Sequence, residues 1–120
     1  MGQLLKPTAL VVEDDRDQRA LVGTLLEECD MKVVECETGE AAAVAMEHLR
    51  DRLVMIFTDF NLAGKMNGVE LATLARQRLP HVAVVLTSGS GVSKIPADTV
   101  FIQKPWRALD LLRLAESARA

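Results

Sequence analysis

Acidic residues that could bind a metal follow two of the apolar runs in the sequence. Glu13 and Asp14 follow one run, and Asp59 follows another. Carboxylate oxygens are ligands that Mg²⁺ prefers, and a carboxylate is also a competent nucleophile toward a phosphoryl donor. The acids therefore predict a magnesium site that contains a nucleophilic aspartate.

A hydroxyl and an ammonium group also follow apolar runs, at Thr87 and Lys104. Phosphoryl transfer requires mainly positioning and neutralisation of charge on the phosphoryl oxygens, which these two groups and a metal ion can provide. Asn61 could add a backbone carbonyl to the metal site. Each residue also has a structural explanation, since a threonine can simply end a strand and a lysine can simply compensate buried acids.

The runs that carry these residues have the composition of buried strands. They are rich in Val, Ile, Leu and Thr and almost continuously apolar, which suits strands covered on both faces. The predicted strands are Thr8–Val12, Lys32–Cys36, Leu53–Thr58, Val82–Thr87 and Thr99–Gln103.

Longer amphipathic stretches alternate with the strands and predict helices. The predicted helices are Asp15–Glu28, Glu40–Leu49, Val69–Leu79 and Ala108–Ala118. Asp15 and Gln18 have the spacing of a capping box at the start of the first helix. The alternation predicts an α/β fold with a doubly wound, five-stranded parallel sheet that is flavodoxin-like, with strand order 2-1-3-4-5. Ligands bind at the carboxyl ends of the strands in such sheets, where the polar residues lie.

The connection between strands four and five is too short for a full helix. Eleven residues run from Ser88 to Asp98, whereas a parallel crossover ordinarily takes a dozen or more. The stretch also contains Gly89, Gly91 and Pro96, which disfavour a helix. We expect the fourth helix of the fold to be short or missing.

Composition limits the classes of function. The chain of 120 residues is 49% hydrophobic and 26% charged, which fits a single domain spanning residues 1–120. With a net charge of −3 and no basic face, direct binding to nucleic acid is not expected. The sequence has neither the roughly 18 consecutive apolar residues of a membrane helix nor a secretory signal, so we expect no membrane contact and a cytoplasmic location.

Four motifs, in this order along the whole chain, resemble those of CheY-like response-regulator receiver domains of two-component signalling. They are VVEDD at 11–15, TDFNL at 58–62, LTSG at 86–89 and QKPW at 103–106. The loop after Asp59, NLAGKMNG, departs from the family's pattern. It is one residue longer than the commonest form and has Ala63 where the family often has Pro.

The resemblance implies a role for each residue. Asp59 corresponds to the phosphoacceptor, Thr87 to the switch hydroxyl and Lys104 to the phosphate-binding lysine. Asp14 corresponds to a direct ligand of Mg²⁺. The implied metal set is Glu13, Asp14, Asp59 and Asn61.

The resemblance also implies partners. A histidine kinase or a histidine phosphotransfer protein would donate the phosphoryl group, and the output would be a partner protein or an attached domain, with a homodimer possible. Such a phosphorelay switch takes part in its own phosphorylation but is not a turnover enzyme. The candidate partner face comprises Phe101, which corresponds to the family's rotating aromatic, together with Trp106 and Leu109. The chain would be either a stand-alone receiver or one domain of a longer protein.

Two other functions remain open. A degenerate receiver would keep the fold as a protein-interaction module without phosphorylation, although the presence of all the expected acids, Thr87 and Lys104 argues against it. A phosphatase with an aspartate nucleophile, as in the haloacid-dehalogenase-like fold, would place its pair of aspartates on the first strand. Here the acceptor-like Asp59 follows the third strand.

Overall fold

A parallel sheet of five strands with helices on both faces forms the domain. The computed structural model describes residues 6–120, so the first five residues of the predicted domain lie outside the described residues. The elements in chain order are β1 Thr8–Val12, α1 Arg16–Glu28, β2 Lys32–Cys36, α2 Gly39–Leu49, a 3₁₀ helix Arg50–Arg52, β3 Leu53–Asp59, α3 Gly68–Arg78, β4 Ala83–Ser88, β5 Thr99–Gln103 and α4 Ala108–Arg119.

The strand order is β2-β1-β3-β4-β5, and every pairing is parallel. The flavodoxin-like architecture predicted from the sequence is confirmed. Register brings the strand ends to one edge of the sheet, since Asp59 pairs with Thr87 and Ser88 pairs with Gln103. We call this edge, where the carboxyl ends of the strands meet, the carboxyl rim.

The two faces of the sheet carry separate hydrophobic cores. One core includes Leu10, Ile56 and Leu71 and lies under α2 and α3. The other includes Phe57 and Leu111 and lies under α1 and α4. Burying each such side chain stabilises the fold by about 1.5–3 kcal/mol. The central strands β1, β3 and β4 are mostly apolar because both of their faces are covered, and polar residues stand mainly at their carboxyl ends.

The helix starts are fixed by side-chain caps. Asn67 and Glu70 form a complete capping box at α3. At α1, Asp15 accepts from the backbone N–H of Gln18, but the predicted capping box is wrong in its second half. The N–H of Asp15 donates to the carboxylate of Glu13 instead, which leaves the Gln18 side chain free to reach Lys104 at the carboxyl rim.

Between β4 and β5 the chain forms no helix, as predicted. Residues 89–98, which we call the 89–98 segment, cross back along α3 in an irregular path. The guanidinium of Arg76 on α3 donates to the carbonyls of Val82 and Asp98, which precede β4 and β5. No helix in the described part of the chain has the length and apolar character to span a membrane.

Candidate functional site

Asp59 and Lys104 meet at the carboxyl rim although they are far apart in sequence. Asp59 is the last residue of β3 and is 6% exposed. The Nζ of Lys104, one residue past β5, lies 2.9 Å from its Oδ2. Hydrogen bonds between charged groups at this distance are strong. The sheet therefore presents a nearly buried carboxylate with a cation beside it.

Three carboxylates converge at the same place. Ligand oxygens of Glu13, Asp14 and Asp59 all lie within 4.8 Å of one another. The span across an octahedral Mg²⁺ shell is roughly 4 Å, because each Mg–O distance is about 2.0–2.1 Å. The donors are hard oxygens and the group is anionic, so these residues fit a magnesium ion with waters completing its shell.

The electrostatics of Glu13 also favour a cation. Burial raises the pKa of Glu13 to about 7; the backbone N–H of Asp15 partly offsets this, and repulsion from Asp59 adds to it. A carboxyl in this state gives up its proton more readily when a divalent cation is bound nearby. A cation bound at this cluster would therefore favour the charged form of Glu13.

Lys104 has three acceptors around its ammonium group. Its Nζ lies 2.8 Å from Gln18 Oε1 and 3.5 Å from Glu13 Oε1, in addition to Asp59. Partial burial opposes the charged form, but the hydrogen bond and attraction to Asp59 and the attraction of Glu13 outweigh it, so the pKa of Lys104 is raised. The lysine remains a cation that is held over the Asp59 carboxylate.

Thr87 faces the same side of the sheet as Asp59, since the two residues are paired across β3 and β4 and paired residues in parallel strands share a face. Its hydroxyl is fully buried and has no hydrogen-bond partner among the described residues. A buried hydroxyl without a partner costs free energy. It is available for an acceptor that the protein itself does not supply.

Asn61 lies in the connection between β3 and α3, residues 60–67, which we call the 60–67 loop. Its backbone N–H points toward Asp59 Oδ1 at 3.4 Å. The preceding Phe60 donates its N–H to the carbonyl of Thr87 at 2.8 Å, which joins the start of the loop to β4. Asn61 is therefore placed beside the acidic cluster.

The residues of the predicted partner face lie near β5 and the start of α4 in different environments. Leu109 is 52% exposed, whereas Phe101 and Trp106 are half-buried. The ring of Trp106 packs edge-on against Phe57, with 5.7 Å between centroids. Trp106 thus contributes to the core under α4, and Leu109 offers the larger free surface.

Two residues that contact the site were not predicted as part of it. Gln18 binds Lys104, and Arg19 donates to the backbone carbonyl of Glu13 at 2.9 Å. Arg19 also pairs with Glu35. Both lie on the first turn of α1, one helical turn from the acids, and that proximity is the only signal in the sequence that could have indicated them.

Comparison with known proteins agrees with this fold. The family model described as the response regulator receiver domain matches residues 9–115. A solved response regulator receiver protein from Sinorhizobium medicae superposes with a TM-score of 0.86 over 94% of each chain, at 19% identity, and this likeness concerns the fold.

Two curated relatives match most of this chain, but one of them is a much longer protein and the other is of similar length. The chain is 29% identical to the nitrogen assimilation regulatory protein NtrX of Azorhizobium caulinodans, over 91% of this chain and 25% of that protein. It is 28% identical to the response regulator receiver protein CpdR of Brucella abortus, over 89% of this chain and 92% of that protein. The chain spans less than a third of the length of the first curated relatives that it matches.

Proposed function

The chain belongs to the response regulator receiver family, and we propose that it is a phosphorylation-dependent switch that accepts a phosphoryl group on Asp59 in the presence of Mg²⁺. The observation that carries the proposal is the arrangement around Asp59. Its carboxylate lies 2.9 Å from Lys104 Nζ, within 4.8 Å of two other acids, and on the same face as the unpartnered hydroxyl of Thr87. The set contains a nucleophile and groups that can hold three phosphoryl oxygens.

The chemistry follows from these positions. A carboxylate oxygen of Asp59 attacks the phosphorus of the donor, the bond from phosphorus to the donor's nitrogen or oxygen breaks, and the leaving group departs with that electron pair. The product is an acyl phosphate on Asp59. Lys104 moves its hydrogen bond from the carboxylate to a phosphoryl oxygen. Glu13, Asp14, Asp59 and the backbone carbonyl of Asn61 would hold a Mg²⁺ ion, which would neutralise phosphoryl charge when bound.

Thr87 is the residue that would couple phosphorylation to a change of conformation. Its hydroxyl can donate to a phosphoryl oxygen only after phosphorylation, and a contact that exists in one state shifts the population toward that state. Thr87 is followed by Ser88 and the 89–98 segment, so the shift reaches that segment and then β5. The signal is therefore read on the surface near Phe101 and Leu109.

Partners follow from the family. We propose that a histidine kinase or a histidine phosphotransfer protein supplies the phosphoryl group and that a partner protein or an attached domain receives the signal, in the cytoplasm. The chain acts as a switch that is modified once per cycle and not as a turnover enzyme.

The test is intact-mass measurement after incubation with Mg²⁺ and a small phosphodonor such as acetyl phosphate. We expect an adduct of one phosphate in the parent chain and in Asp51→Asn, a matched control on the exposed 3₁₀ helix, but not in Asp59→Asn. No adduct in the parent would favour a degenerate receiver. Turnover of many phosphate esters without an adduct would favour a phosphatase.

A further inference from the structure

Glu40 links α2 to the loop that follows the phosphoacceptor. It lies in the first turn of α2, whereas Asp59 ends β3. Its Oε2 accepts from the backbone N–H groups of Lys65 at 2.9 Å and Met66 at 3.2 Å. The hydrogen bond from Lys65 is the main reason why the pKa of Glu40 is lowered. One exposed carboxylate thus holds two consecutive amides of the 60–67 loop.

The surroundings of Glu40 show close approach between the two chain segments. Gly64 has φ of +90°, and a Cβ added there would lie 2.7 Å from Glu40 Oε1. Thr38, which caps α2, forms an isolated parallel bridge with Ala63. A glycine at Gly64 satisfies both the left-handed backbone and the close contact. The loop is therefore shaped to receive the Glu40 carboxylate.

This contact holds backbone amides of the 60–67 loop, while the side chains of Leu62 and Met66 pack against the hydrophobic core. The ends of the loop are anchored by hydrogen bonds from Phe60 to the Thr87 carbonyl and from Gly68 to the Phe60 carbonyl. In the described structure, the backbone between Ala63 and Met66 is bound to the rest of the protein through Glu40 and the Thr38 bridge. Asn61 lies between the anchored start of the loop and the stretch from Ala63 to Met66 that Glu40 binds.

We propose that Glu40 is a positioning residue that fixes the backbone of Asn61 through the 60–67 loop and thereby sets the Mg²⁺ affinity of the site. The proposal rests on the proposed function, because the metal is the one that function requires. A carbonyl ligand that is already held near the ligand distance binds a cation more tightly, because less ordering is needed on binding, and groups that orient ligands strongly affect affinity.

Calorimetric titration with Mg²⁺ tests the proposal, using the parent chain, Glu40→Ala, Glu40→Gln and Asp17→Asn. We expect Glu40→Ala to weaken binding about tenfold, as loss of a ligand-orienting group typically does. Glu40→Gln should restore affinity to within about threefold of the parent, because its amide oxygen still accepts a backbone hydrogen bond. Asp17→Asn removes a charge from the first turn of α1 and should leave affinity unchanged.

Hydrogen exchange measures the contact between Glu40 and the 60–67 loop directly. In the metal-free protein, the amides of Lys65 and Met66 should exchange with solvent faster in Glu40→Ala than in the parent, and Glu40→Gln should slow the exchange again. If Glu40→Ala does not fold, Glu40→Asp replaces it. Its shorter side chain cannot reach both amides, so Mg²⁺ affinity should again fall.

The outcomes separate the two proposals. A parent chain that binds no Mg²⁺ contradicts the proposed function itself. A parent that binds Mg²⁺ with the same affinity as Glu40→Ala, or as Glu40→Asp, overturns the role of Glu40 and leaves the proposed function intact. Equal weakening in Glu40→Ala, Glu40→Gln and Asp17→Asn would show that only net charge matters, which also overturns the inference.

Discussion

The 60–67 loop and the 89–98 segment both leave the carboxyl rim beside Asp59, and they are held in opposite ways. The 60–67 loop is bound by the Glu40 carboxylate, by a strand bridge and by the α3 capping box. The 89–98 segment begins with weaker contacts, such as Gln103 Nε2 to the Gly89 carbonyl at 3.4 Å. Under the proposed function, the 60–67 loop supplies a metal ligand and is held in place, whereas the 89–98 segment would transmit the change of state and is held less tightly.

The glycines of the two regions show the same contrast. A Cβ added to Gly68, at the end of the 60–67 loop, would collide with the Asp59 carbonyl oxygen and lie 2.8 Å from Leu86 Cδ1. A Cβ added to Gly89 or Gly91 would meet nothing within 4 Å. Substitutions in the two regions should therefore have effects of different size and sign.

Gly68→Ala is the largest expected effect. The added methyl group collides with the backbone of Asp59, so the free energy of unfolding should fall by about 3 kcal/mol or more, at the upper end for overpacking. Urea denaturation measures this. Gly23→Ala in α1 is the matched control, because its new methyl would meet a movable Glu35 carboxylate at 3.2 Å. A loss at Gly68 no larger than at Gly23 would contradict the close packing around Asp59.

Arg76→Met is expected to have an intermediate effect. The substitution removes the donor to the Asp98 carbonyl, at the far end of the 89–98 segment, and the donor to the Val82 carbonyl, which precedes β4. We expect a loss of about 1–2 kcal/mol, together with faster hydrogen exchange near Thr99. Arg78→Met on the same helix removes only an exposed ion pair with Glu47 and should cost less than about 0.5 kcal/mol. Equal losses of stability in the two variants would show that Arg76 does not anchor the 89–98 segment.

Gly91→Ala is the smallest expected effect and has the opposite sign. The methyl group has open space, and alanine restricts the unfolded chain, so the protein should be stabilised by about 0.4–1 kcal/mol. The same denaturation experiment detects this change. A clear destabilisation would mean that the 89–98 segment packs more closely than its surroundings indicate.

The sequence predicts the elements that form the carboxyl rim well, because their signals are local. Buried parallel strands leave continuous apolar runs, and the predicted bounds of β1, β2 and β5 agree with the structure at both ends. The missing helix between β4 and β5 was predictable from chain length and from Gly89, Gly91 and Pro96. The convergence of Asp59 and Lys104 follows once the strand order is known.

Contacts made by long polar side chains across the fold could not be predicted in the same way. Gln18 satisfies a helix-capping pattern in sequence, yet its amide binds Lys104 because Glu13 already occupies the Asp15 N–H. Glu40 reaches amides 25 and 26 residues away. Such contacts depend on how closely neighbouring elements approach each other. The sequence alone does not show which distant group a surface glutamate will contact.

Peptide-resolved hydrogen exchange with and without Mg²⁺ and acetyl phosphate tests the central claim most directly, because one experiment locates the phosphoryl group and the structural response. We expect the adduct on the peptide that contains Asp59, altered deuterium uptake across the 89–98 segment, and unchanged uptake between Ala63 and Met66. Asp59→Asn should show neither the adduct nor the response. An adduct elsewhere, or the same response in Asp59→Asn, would contradict a switch that is set by phosphorylation of Asp59.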